Sequence, residues 1–381
     1  MPRSRIFDCI VIGLGGFGSA ALLQLAQRGA RVLGLEQFGP AHDRGSSHGE
    51  TRVIRRAYFE HPDYVPLLNR AYDLWHELEQ HTSRTLYVQS GLFLAARPEF
   101  EAVSGTLAVA QTHGLDIEEV PLQTARSRFP AFQFHDEEIV AYERDAGYLR
   151  VEDCIRAHLG QAQAGGALAH FHEPVRSIEP HDSSVTVRTE RGEYTATSLI
   201  VAGGAWSGRL LAELNLPLQV LRKLLFWHPV SAEAAPAHQQ SPCFLFQDAQ
   251  GVFYGFPCID GRTVKLAEHS GGLPIDDPDQ LDGNPVAAEV DPVRAFVQRR
   301  LRSVALSADK YAACMYTVTP DHHFIVDRHP VHQNVIIGSG FSGHGFKFTP
   351  AIGQTLAELA LDRKTALPIE FLSLHRPALA H

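Results

Sequence analysis

The sequence lacks the features that would place it in a membrane or on nucleic acid. Its 381 residues contain no uninterrupted apolar run of the roughly 18 residues that a membrane-spanning helix requires. Basic residues are also outnumbered, since the chain has 34 Lys and Arg against 43 Asp and Glu, which gives a formal net charge of -9. That balance argues against a surface for nucleic acid or anionic lipid. We therefore expect neither a nucleic-acid partner nor a membrane partner.

Disulfide and metal signatures are missing as well. The five cysteines are an odd number, widely spaced, and form no C-x-x-C pair, so neither a disulfide framework nor a cysteine-based zinc site is expected. The 21 histidines are scattered and include no H-E-x-x-H, and we expect no metal site. Residues 1–5 lead directly into an apolar run, which leaves no room for a secretory segment. The expected location is the cytoplasm.

What the chain does have is a strand, helix and strand pattern at its start. Residues 9–12 are a short apolar run, as in a strand buried on both faces, and residues 19–27 have the composition of a helix. Residues 32–35 form a second apolar run, which is followed by an acidic residue. This order is typical of a βαβ dinucleotide-binding unit.

A G-x-G-x-x-G motif, formed by Gly13, Gly15 and Gly18, joins the first strand to the helix. In such motifs the first glycine permits a tight turn, the second lets a pyrophosphate approach the backbone, and the third lets the helix pack closely. Glu36, at the end of the second strand, is placed to accept hydrogen bonds from a ribose. An acid at this position favours FAD or NAD over NADP, and the motif alone does not choose between those two.

Two more strands run into glycines later in the chain. Residues 194–202 end at Gly203, and residues 334–338 lead into a glycine-rich loop and a helix over residues 350–361. Three glycine-ended strands spread over the whole chain predict one extended ligand that passes several loops. This favours FAD over NAD.

The remaining periodicity predicts an α/β (α+β) protein of two domains. We expect a discontinuous Rossmann-like FAD-binding domain, because the nucleotide-binding pattern returns after insertions. The second domain should be a mostly antiparallel sheet with helices, since β-like runs alternate with proline- and glycine-rich turns after residue 220. The predicted FAD-binding domain is residues 1–87, 148–219 and 321–381, and the predicted substrate domain is residues 88–147 and 220–320.

Several cationic residues and one cysteine are ambiguous on local pattern alone. The three arginines of residues 51–58 suit a solvated helix face, on which Arg52 and Arg55 would lie one turn apart. Lys347, between two phenylalanines, fits an exposed position as well as an anion site, and the strand pattern around Lys265 favours an ordinary solvent-facing side chain. Cys314, among apolar neighbours, is typical of a small buried hydrophobe.

These residues also carry a family resemblance. The chain resembles the monomeric sarcosine oxidase and N-methyl amino acid oxidase family, flavin-dependent amine oxidases of the D-amino-acid-oxidase-like superfamily that include N-methyltryptophan and pipecolate oxidases. The resemblance spans nearly the whole length. It is carried by residues 13–18, 49–55, 254–257, Lys265 with His269, 314–317 and 340–348.

The resemblance implies roles for single residues. Cys314 matches the cysteine that forms a thioether to the flavin 8-methyl group, and Arg52 with Lys347 matches the pair that clamps the substrate carboxylate. Lys265 matches the lysine that activates oxygen. Tyr254 and His269 match pocket residues, and Arg55 with Tyr58 matches supporting positions. The expected cofactor-binding residues are Gly13, Gly15, Gly18, Glu36, Arg52, Cys314, Gly343, Gly345 and Lys347.

The implied activity is FAD-dependent oxidation of the secondary amine of a small, sarcosine-like N-methyl amino acid by oxygen. Its products would be the demethylated amino acid, formaldehyde and hydrogen peroxide, and the enzyme is expected to be a monomer. N-methyltryptophan, another N-methylated residue or a cyclic imino acid such as pipecolate remains open as substrate. Two alternatives are a dehydrogenase that passes electrons to a carrier and a noncatalytic FAD-binding module. The presence together of Arg52, Lys265, Cys314 and Lys347 argues against the module.

Overall fold

A computed structural model describes residues 5–380. Within that range the strands and α-helices are numbered separately along the chain. The strands are β1 (Arg5–Ile12), β2 (Val32–Leu35), β3 (Thr51–Ile54), β4 (Tyr87–Val88), β5 (Leu92–Ala96), β6 (Ile117–Glu119), β7 (Ile139–Glu143), β8 (Gly147–Arg150), β9 (Leu168–His170), β10 (Val175–Pro180), β11 (Val185–Thr189), β12 (Gly192–Val201), β13 (Gln219–Pro229), β14 (Cys243–Asp248), β15 (Gly251–Gly255), β16 (Thr263–Glu268), β17 (Leu273–Pro274), β18 (Lys310–Val318), β19 (Ile325–Arg328) and β20 (Val335–Ser339). The helices are α1 (Gly16–Gln27), α2 (Tyr64–Thr82), α3 (Glu101–His113), α4 (Leu122–Arg128), α5 (Val151–Ala164), α6 (Ser207–Leu210), α7 (Ala235–Gln239), α8 (Ala287–Arg300) and α9 (Thr349–Leu361).

The first sheet has a parallel centre built from the glycine-ended strands. Its parallel strands run in the order β9, β2, β1, β12, β20, and the antiparallel strands β10, β11 and β19 extend it. The carboxyl ends of β1, β12 and β20 therefore lie side by side, as predicted from three separate parts of the sequence. In an open parallel sheet this edge is where ligands bind.

Three helices cover one face of this sheet. α1 packs against both α5 and α9, and these helices share a hydrophobic core with α2. The predicted apolar face of α2 is confirmed, because Val65, Leu68, Tyr72, Trp75 and Leu78 are all buried. The layer fixes the start of α1 above the end of β1.

The second sheet is mostly antiparallel, as predicted. Its strands follow the order β17, β13, β16, β15, β14, β5, β7, β6, with β18 paired to β13 and a single parallel pair between β14 and β5. An aromatic core that includes Phe93, Phe244, Phe246, Phe253 and Phe296 lies on one side of it. A small third sheet, in the order β3, β8, β4, completes the fold.

The solvated helix expected around residues 51–58 is wrong. Thr51–Ile54 is strand β3, paired antiparallel with β8, and the side chain of Arg55 is buried. Arg52 and Arg55 are an odd number of residues apart, so in extended chain they project to opposite sides. The strand pairing, which local charge pattern does not report, overrides the helical spacing.

Candidate cofactor and substrate site

A cavity of about 420 Å³ opens at the carboxyl ends of β1, β2, β12 and β20. Residues that follow each of these strands line it, including Gly13, Glu36, Gly203 and Gly340. The side chains of Ser46, Ser47 and Arg52 close one wall, and Tyr316 and Thr317 from β18 contribute another. One elongated ligand can therefore touch loops from distant parts of the sequence.

The glycine turn has the geometry that a pyrophosphate site needs. Gly13 has a φ of +84°, and a Cβ there would lie 2.5 Å from the carbonyl oxygen of Ala202. At Gly18 a Cβ would lie 1.7 Å from the carbonyl oxygen of Gly13, so the first turn of α1 packs directly against the loop. Gly15, by contrast, lines the cavity, and a Cβ there would lie no closer than 3.8 Å to its nearest neighbour, Ser47 Oγ. The start of α1 thus presents backbone amides at which an anion can bind, of which the Gly16 amide donates to Ser47 Oγ at 3.3 Å.

Glu36 supplies a buried carboxylate to the same cavity. Its oxygens accept hydrogen bonds from the amides of Leu14 at 2.8 Å and Phe38 at 2.9 Å, and His42 Nε2 lies 3.5 Å from Oε1. Burial acts to raise the pKa of Glu36, but the His42 ring and the two amides outweigh it and lower the pKa below its usual value. An ionised acceptor beside the glycine turn suits ribose hydroxyls.

Arg52 and Cys314 lie together against the cavity wall. Arg52 donates to the carbonyls of Thr51 and Ser46, each at 2.8 Å, and its Nη2 lies 3.4 Å from Cys314 Sγ. Cys314 is 1% exposed, and its sulfur lies 3.6 Å from the carbonyl oxygen of Ser46. Arg52 and Ser46, which contact the sulfur, both line the cavity.

Lys265 is a buried cation rather than the solvent-facing side chain that its strand pattern favoured. It is 4% exposed, and its Nζ donates to the carbonyls of Gly49 at 2.5 Å and Thr51 at 2.8 Å and to Thr51 Oγ1 at 2.9 Å. The ring of Phe256 packs against the ammonium at 4.6 Å. Burial, and next the charge of Arg52, lower the pKa of Lys265 well below its usual value.

Lys347 is buried in a different cluster. Its Nζ donates to the carbonyl of His344 at 2.6 Å and lies 4.9 Å from the centre of the Tyr58 ring. The guanidinium of Arg55 lies 4.2 Å from the same ring and forms a two-bonded ion pair with Glu60, at 2.8 and 3.0 Å. Burial, and then the charge of Arg55, lower the pKa of Lys347 to about 7.

The expected pairing of Arg52 with Lys347 on a substrate carboxylate stays a prediction. Arg55, on the opposite side of extended chain from Arg52, is the cation that bears on Lys347, and Tyr58 joins them. Sequence reasoning gave Arg55 and Tyr58 only a supporting role. Strand alternation through residues 51–54 would have been the signal that separates the two arginines.

His269 and Tyr254 meet beside Tyr316. His269 Nδ1 lies 3.4 Å from the Tyr316 hydroxyl, and the ring of Tyr254 stands edge-on to the His269 ring at 6.3 Å. Burial lowers the pKa of His269 to about 3, so the ring is neutral near pH 7. Tyr316 also packs against Gly343, where a Cβ would lie 2.2 Å from its ring. This group of neutral aromatic residues lies between the cavity and the buried lysines.

The loop from Gly340 to Gly345 also borders the cavity. Gly343, Gly345 and the following Phe346 line it, and Lys347 belongs to the same short turn, Phe346–Phe348, that precedes α9. The cavity-lining residues that sequence reasoning missed lie in loops and in very short helical segments, which have no periodic spacing to reveal them. They include His42, Ser46, Ser47, Trp206 and Arg209.

The fold and the site together define a dinucleotide-dependent redox protein. The parallel sheet carries a glycine turn, a carboxylate that can accept hydrogen bonds from a ribose, and a long cavity beside buried cations. The chain belongs to the family described as FAD dependent oxidoreductase, which matches residues 8–359. The flavin-dependent enzyme class is thereby confirmed, and FAD rather than NAD is the dinucleotide.

Relatives of the whole chain narrow the family. It is 41% identical to the monomeric sarcosine oxidase of Streptomyces avermitilis over 99% of both chains. It is also 33% identical to the N-methyl-L-tryptophan oxidase of Salmonella agona, over 97% of this chain and 99% of the other. The predicted family resemblance is confirmed.

Solved structures with the same fold confirm the predicted fold class. NikD, an unusual amino acid oxidase essential for nikkomycin biosynthesis, aligns with a TM-score of 0.86 at 24% identity, over 97% of this chain and 98% of that one. Glycine oxidase from Geobacillus kaustophilus aligns with a TM-score of 0.82 at 20% identity, over 98% and 99%. Among the described residues, no helix is long and apolar enough to cross a membrane.

Proposed function

We propose that the protein is an FAD-dependent oxidase of the secondary amine of a small, sarcosine-like N-methyl amino acid. The balanced reaction for sarcosine consumes water and oxygen and yields glycine, formaldehyde and hydrogen peroxide. The observation that carries the proposal is the buried pair of cations, Arg55 and Lys347, on the Tyr58 ring beside the cofactor cavity. The 41% identity to a sarcosine oxidase supports the same substrate class.

The cation pair suits a carboxylate. Lys347 donates to one carbonyl in the described chain, so its ammonium retains hydrogen-bonding capacity for a ligand. Arg55 presents a planar fork, which Glu60 occupies and which a substrate carboxylate can share or take over. We assign the carboxylate clamp to Arg55 and Lys347, and we assign Arg52 to the cofactor wall.

The other predicted residues receive complementary roles. Neutral His269 and Tyr254, with Tyr316, shape the space for the substrate amine, and Lys265 provides a fixed positive charge for oxygen reduction. Gly13, Gly15, Gly18 and Glu36 hold the pyrophosphate and ribose, and Gly343 and Gly345 border the redox end. When bound, FAD would accept the hydride equivalent lost from the C–H bond next to the amine nitrogen, and oxygen would take the two electrons from it.

We also propose that Cys314 is covalently bonded to the flavin 8-methyl carbon. Its support is the resemblance of residues 314–317 to the family's flavin-linked cysteine, together with the position of the sulfur beside Arg52 and Ser46, which line the cavity. Acid precipitation tests the bond: the yellow colour should stay in the pellet for the wild-type protein and for Cys154→Ala, and move to the supernatant for Cys314→Ala. Colour in the wild-type supernatant contradicts the tether.

The predicted division of the chain follows from these roles. Residues 1–87, 148–219 and 321–381 are proposed to bind FAD, and residues 88–147 and 220–320 to hold the substrate. The parallel first sheet and the antiparallel second sheet support the division. A monomeric state and a cytoplasmic location remain predictions.

A substrate panel tests the proposed activity directly. Sarcosine, N-methyltryptophan, other N-methyl amino acids and pipecolate are compared by hydrogen peroxide release in air. Release with sarcosine above all others supports the proposal, and a preference for another amine reassigns the substrate. Anaerobic flavin bleaching without peroxide release in air indicates a dehydrogenase, and no bleaching with any amine contradicts an amine oxidase.

A further inference from the structure

Glu50 adopts a backbone conformation that glutamate rarely takes. Its φ is +74°, and the amide of Thr51 donates across it to the carbonyl of Gly49 at 2.9 Å. This hydrogen bond to the second preceding residue, with a positive φ at the centre, defines the rare, strained form of γ-turn. Such strain persists only where the surroundings hold it, and it concentrates at functional sites.

Contacts on every side of Glu50 hold the turn. The Glu152 carboxylate accepts the amides of Gly49 at 2.7 Å and Glu50 at 3.1 Å, and the Glu50 carbonyl accepts the amide of Val151 at 3.0 Å. The Glu50 side chain accepts hydrogen bonds from Trp227 Nε1 at 3.0 Å and from Lys310 Nζ at 2.7 Å. The turn is thus tied to α5 through its backbone and to the second sheet through its carboxylate.

The turn presents its flanking carbonyls to Lys265. The oxygens of Gly49 and Thr51, one on each side of Glu50, both accept from Lys265 Nζ, at 2.5 and 2.8 Å. The ammonium also lies 5.5 Å from the centre of the Trp227 ring, whose Nε1 binds the Glu50 carboxylate. Glu50 is therefore connected to Lys265 in two indirect ways. Its turn positions the two carbonyls that bind the ammonium, and its carboxylate binds the indole that packs near it.

The charges around Lys265 show why a nearby carboxylate matters for its protonation. Burial and the cation Arg52 act against its charged form, whereas Glu50 and Glu152 act for it. Nearby His48 is itself held neutral, since burial and Arg52 lower its pKa to about 4. The other titratable neighbours of Lys265 are Cys314 and Cys243. Glu50 and Glu152, and after them Cys314, are consequently the groups that oppose Arg52.

We propose that Glu50 is the positioning residue of Lys265. Its strained turn directs two carbonyl oxygens at the Lys265 ammonium. Its carboxylate, which is held by hydrogen bonds from Trp227 and Lys310, favours the charged form of that ammonium. The inference rests on the proposed function of Lys265 in oxygen reduction and extends it to a residue that does not touch the reacting atoms.

The lysine content of the chain makes a direct test practical. The sequence has five lysines, Lys223, Lys265, Lys310, Lys347 and Lys364. In holoenzyme grown with ¹³Cε-labelled lysine, each gives one resonance whose shift reports protonation. Lys265→Met identifies the Lys265 signal by its loss, and a pH titration then measures its midpoint without any turnover.

Two substitutions separate the carboxylate from the turn. Glu50→Gln removes the charge, and Glu50→Gly removes the side chain while relaxing the positive φ. Both should lower the Lys265 midpoint by about half a pH unit, because solvent screens the charge of a carboxylate that is 54% exposed. Reoxidation by oxygen should then be slowed about threefold at a pH above both midpoints, while anaerobic reduction by the amine substrate is unchanged. Glu77→Gln, which breaks the exposed Arg70–Glu77 pair, is the matched control.

The outcomes separate this inference from the proposed function. An unchanged Lys265 midpoint in both Glu50 variants overturns the positioning role, whatever their turnover. A wild-type rate of reoxidation in Lys265→Met overturns the oxygen role of Lys265 and leaves the midpoint measurement standing on its own. A normal Lys265 midpoint in Glu50→Gly together with a shifted midpoint in Glu50→Gln also contradicts the role of the carboxylate, because both variants lack it.

Discussion

Lys265 and Lys347 are buried to almost the same extent, at 4% and 6% exposure, but they are held in different ways. Lys265 donates to three oxygens, whereas Lys347 donates to one carbonyl. Each has an arginine as its strongest charged neighbour, Arg52 or Arg55, and each has at least one carboxylate that acts the other way. All three donors of the Lys265 ammonium are used, whereas the Lys347 ammonium has hydrogen-bonding capacity left.

The difference indicates what each lysine can do. An ammonium has three donors, so Lys265 has none left for a ligand and acts through its charge. Lys347 combines open donors with a neighbouring guanidinium, an arrangement that is costly without an anion and favourable with one. The first is built as a fixed charge and the second as a binding group.

Loss of the fixed charge should have the largest effect. In Lys265→Met, reoxidation of the reduced flavin by oxygen should slow by about a hundredfold to a thousandfold, the usual effect of removing one stabilising charge or donor. Anaerobic reduction by substrate should change little. Stopped-flow measurement of the two half-reactions checks this, with the exposed Lys364→Met as control. Equal slowing of both half-reactions would contradict the assignment.

Loss of the binding group should act on the other half-reaction. Lys347→Met should raise the KM for the amino acid by about a hundredfold, because a charge-assisted hydrogen bond to a buried carboxylate is lost. Reoxidation should be unaffected. Steady-state kinetics at saturating oxygen provide the measurement, and a normal KM would break the comparison between the two lysines.

The pH dependence should identify Lys347 as well. Its pKa of about 7 means that the ammonium is charged below that pH and is neutralised as the pH rises through it. The KM should therefore increase above pH 7, by about tenfold per pH unit. In Lys347→Arg the side chain stays charged, so this rise should vanish between pH 7 and pH 9. Persistence of the rise in that variant would assign the titration to another group.

Exchange of lysine for arginine should have the smallest effects and should differ between the sites. A planar guanidinium can bind a carboxylate, so Lys347→Arg should keep the KM within about fivefold. At position 265 the same group cannot match three oxygens arranged for an ammonium, and reoxidation should fall by about tenfold. Parallel assays of the two variants check this, and similar tolerance at both positions would argue that the bonding difference has no functional meaning.

The cofactor side of the molecule was largely predictable from local sequence. Gly13, Gly15, Gly18 and Glu36 lie where the motif predicts because their tasks belong to the backbone: a positive φ, a close approach and the end of a strand. Those tasks depend on a few consecutive residues. The three glycine-ended strands likewise meet in one sheet because buried parallel strands have a recognisable apolar pattern.

The substrate side was not predictable in the same way. Local pattern assigned Lys265 to solvent, whereas pairing of β16 with β13 and β15 buries it against Gly49 and Thr51, more than 200 positions away. The family resemblance supplied its role, but not its three bonds. Local charge pattern placed Arg52 and Arg55 on one helical face, and strand β3 removes that helix.

By itself, then, the sequence determined the dinucleotide fold, the cavity edge and the glycine turn that we propose to hold the pyrophosphate, because short-range geometry dictates them. Only the tertiary structure decided that Arg55 lies near Lys347, that all three donors of Lys265 are occupied and that Glu50 has a strained backbone. The properties of the two lysines depend on long-range pairing that brings their buried ammonium groups to between 2.5 and 4.9 Å from carbonyl oxygens and aromatic ring centres. At that range, burial and neighbouring charge set the properties of a side chain more strongly than its place in the sequence.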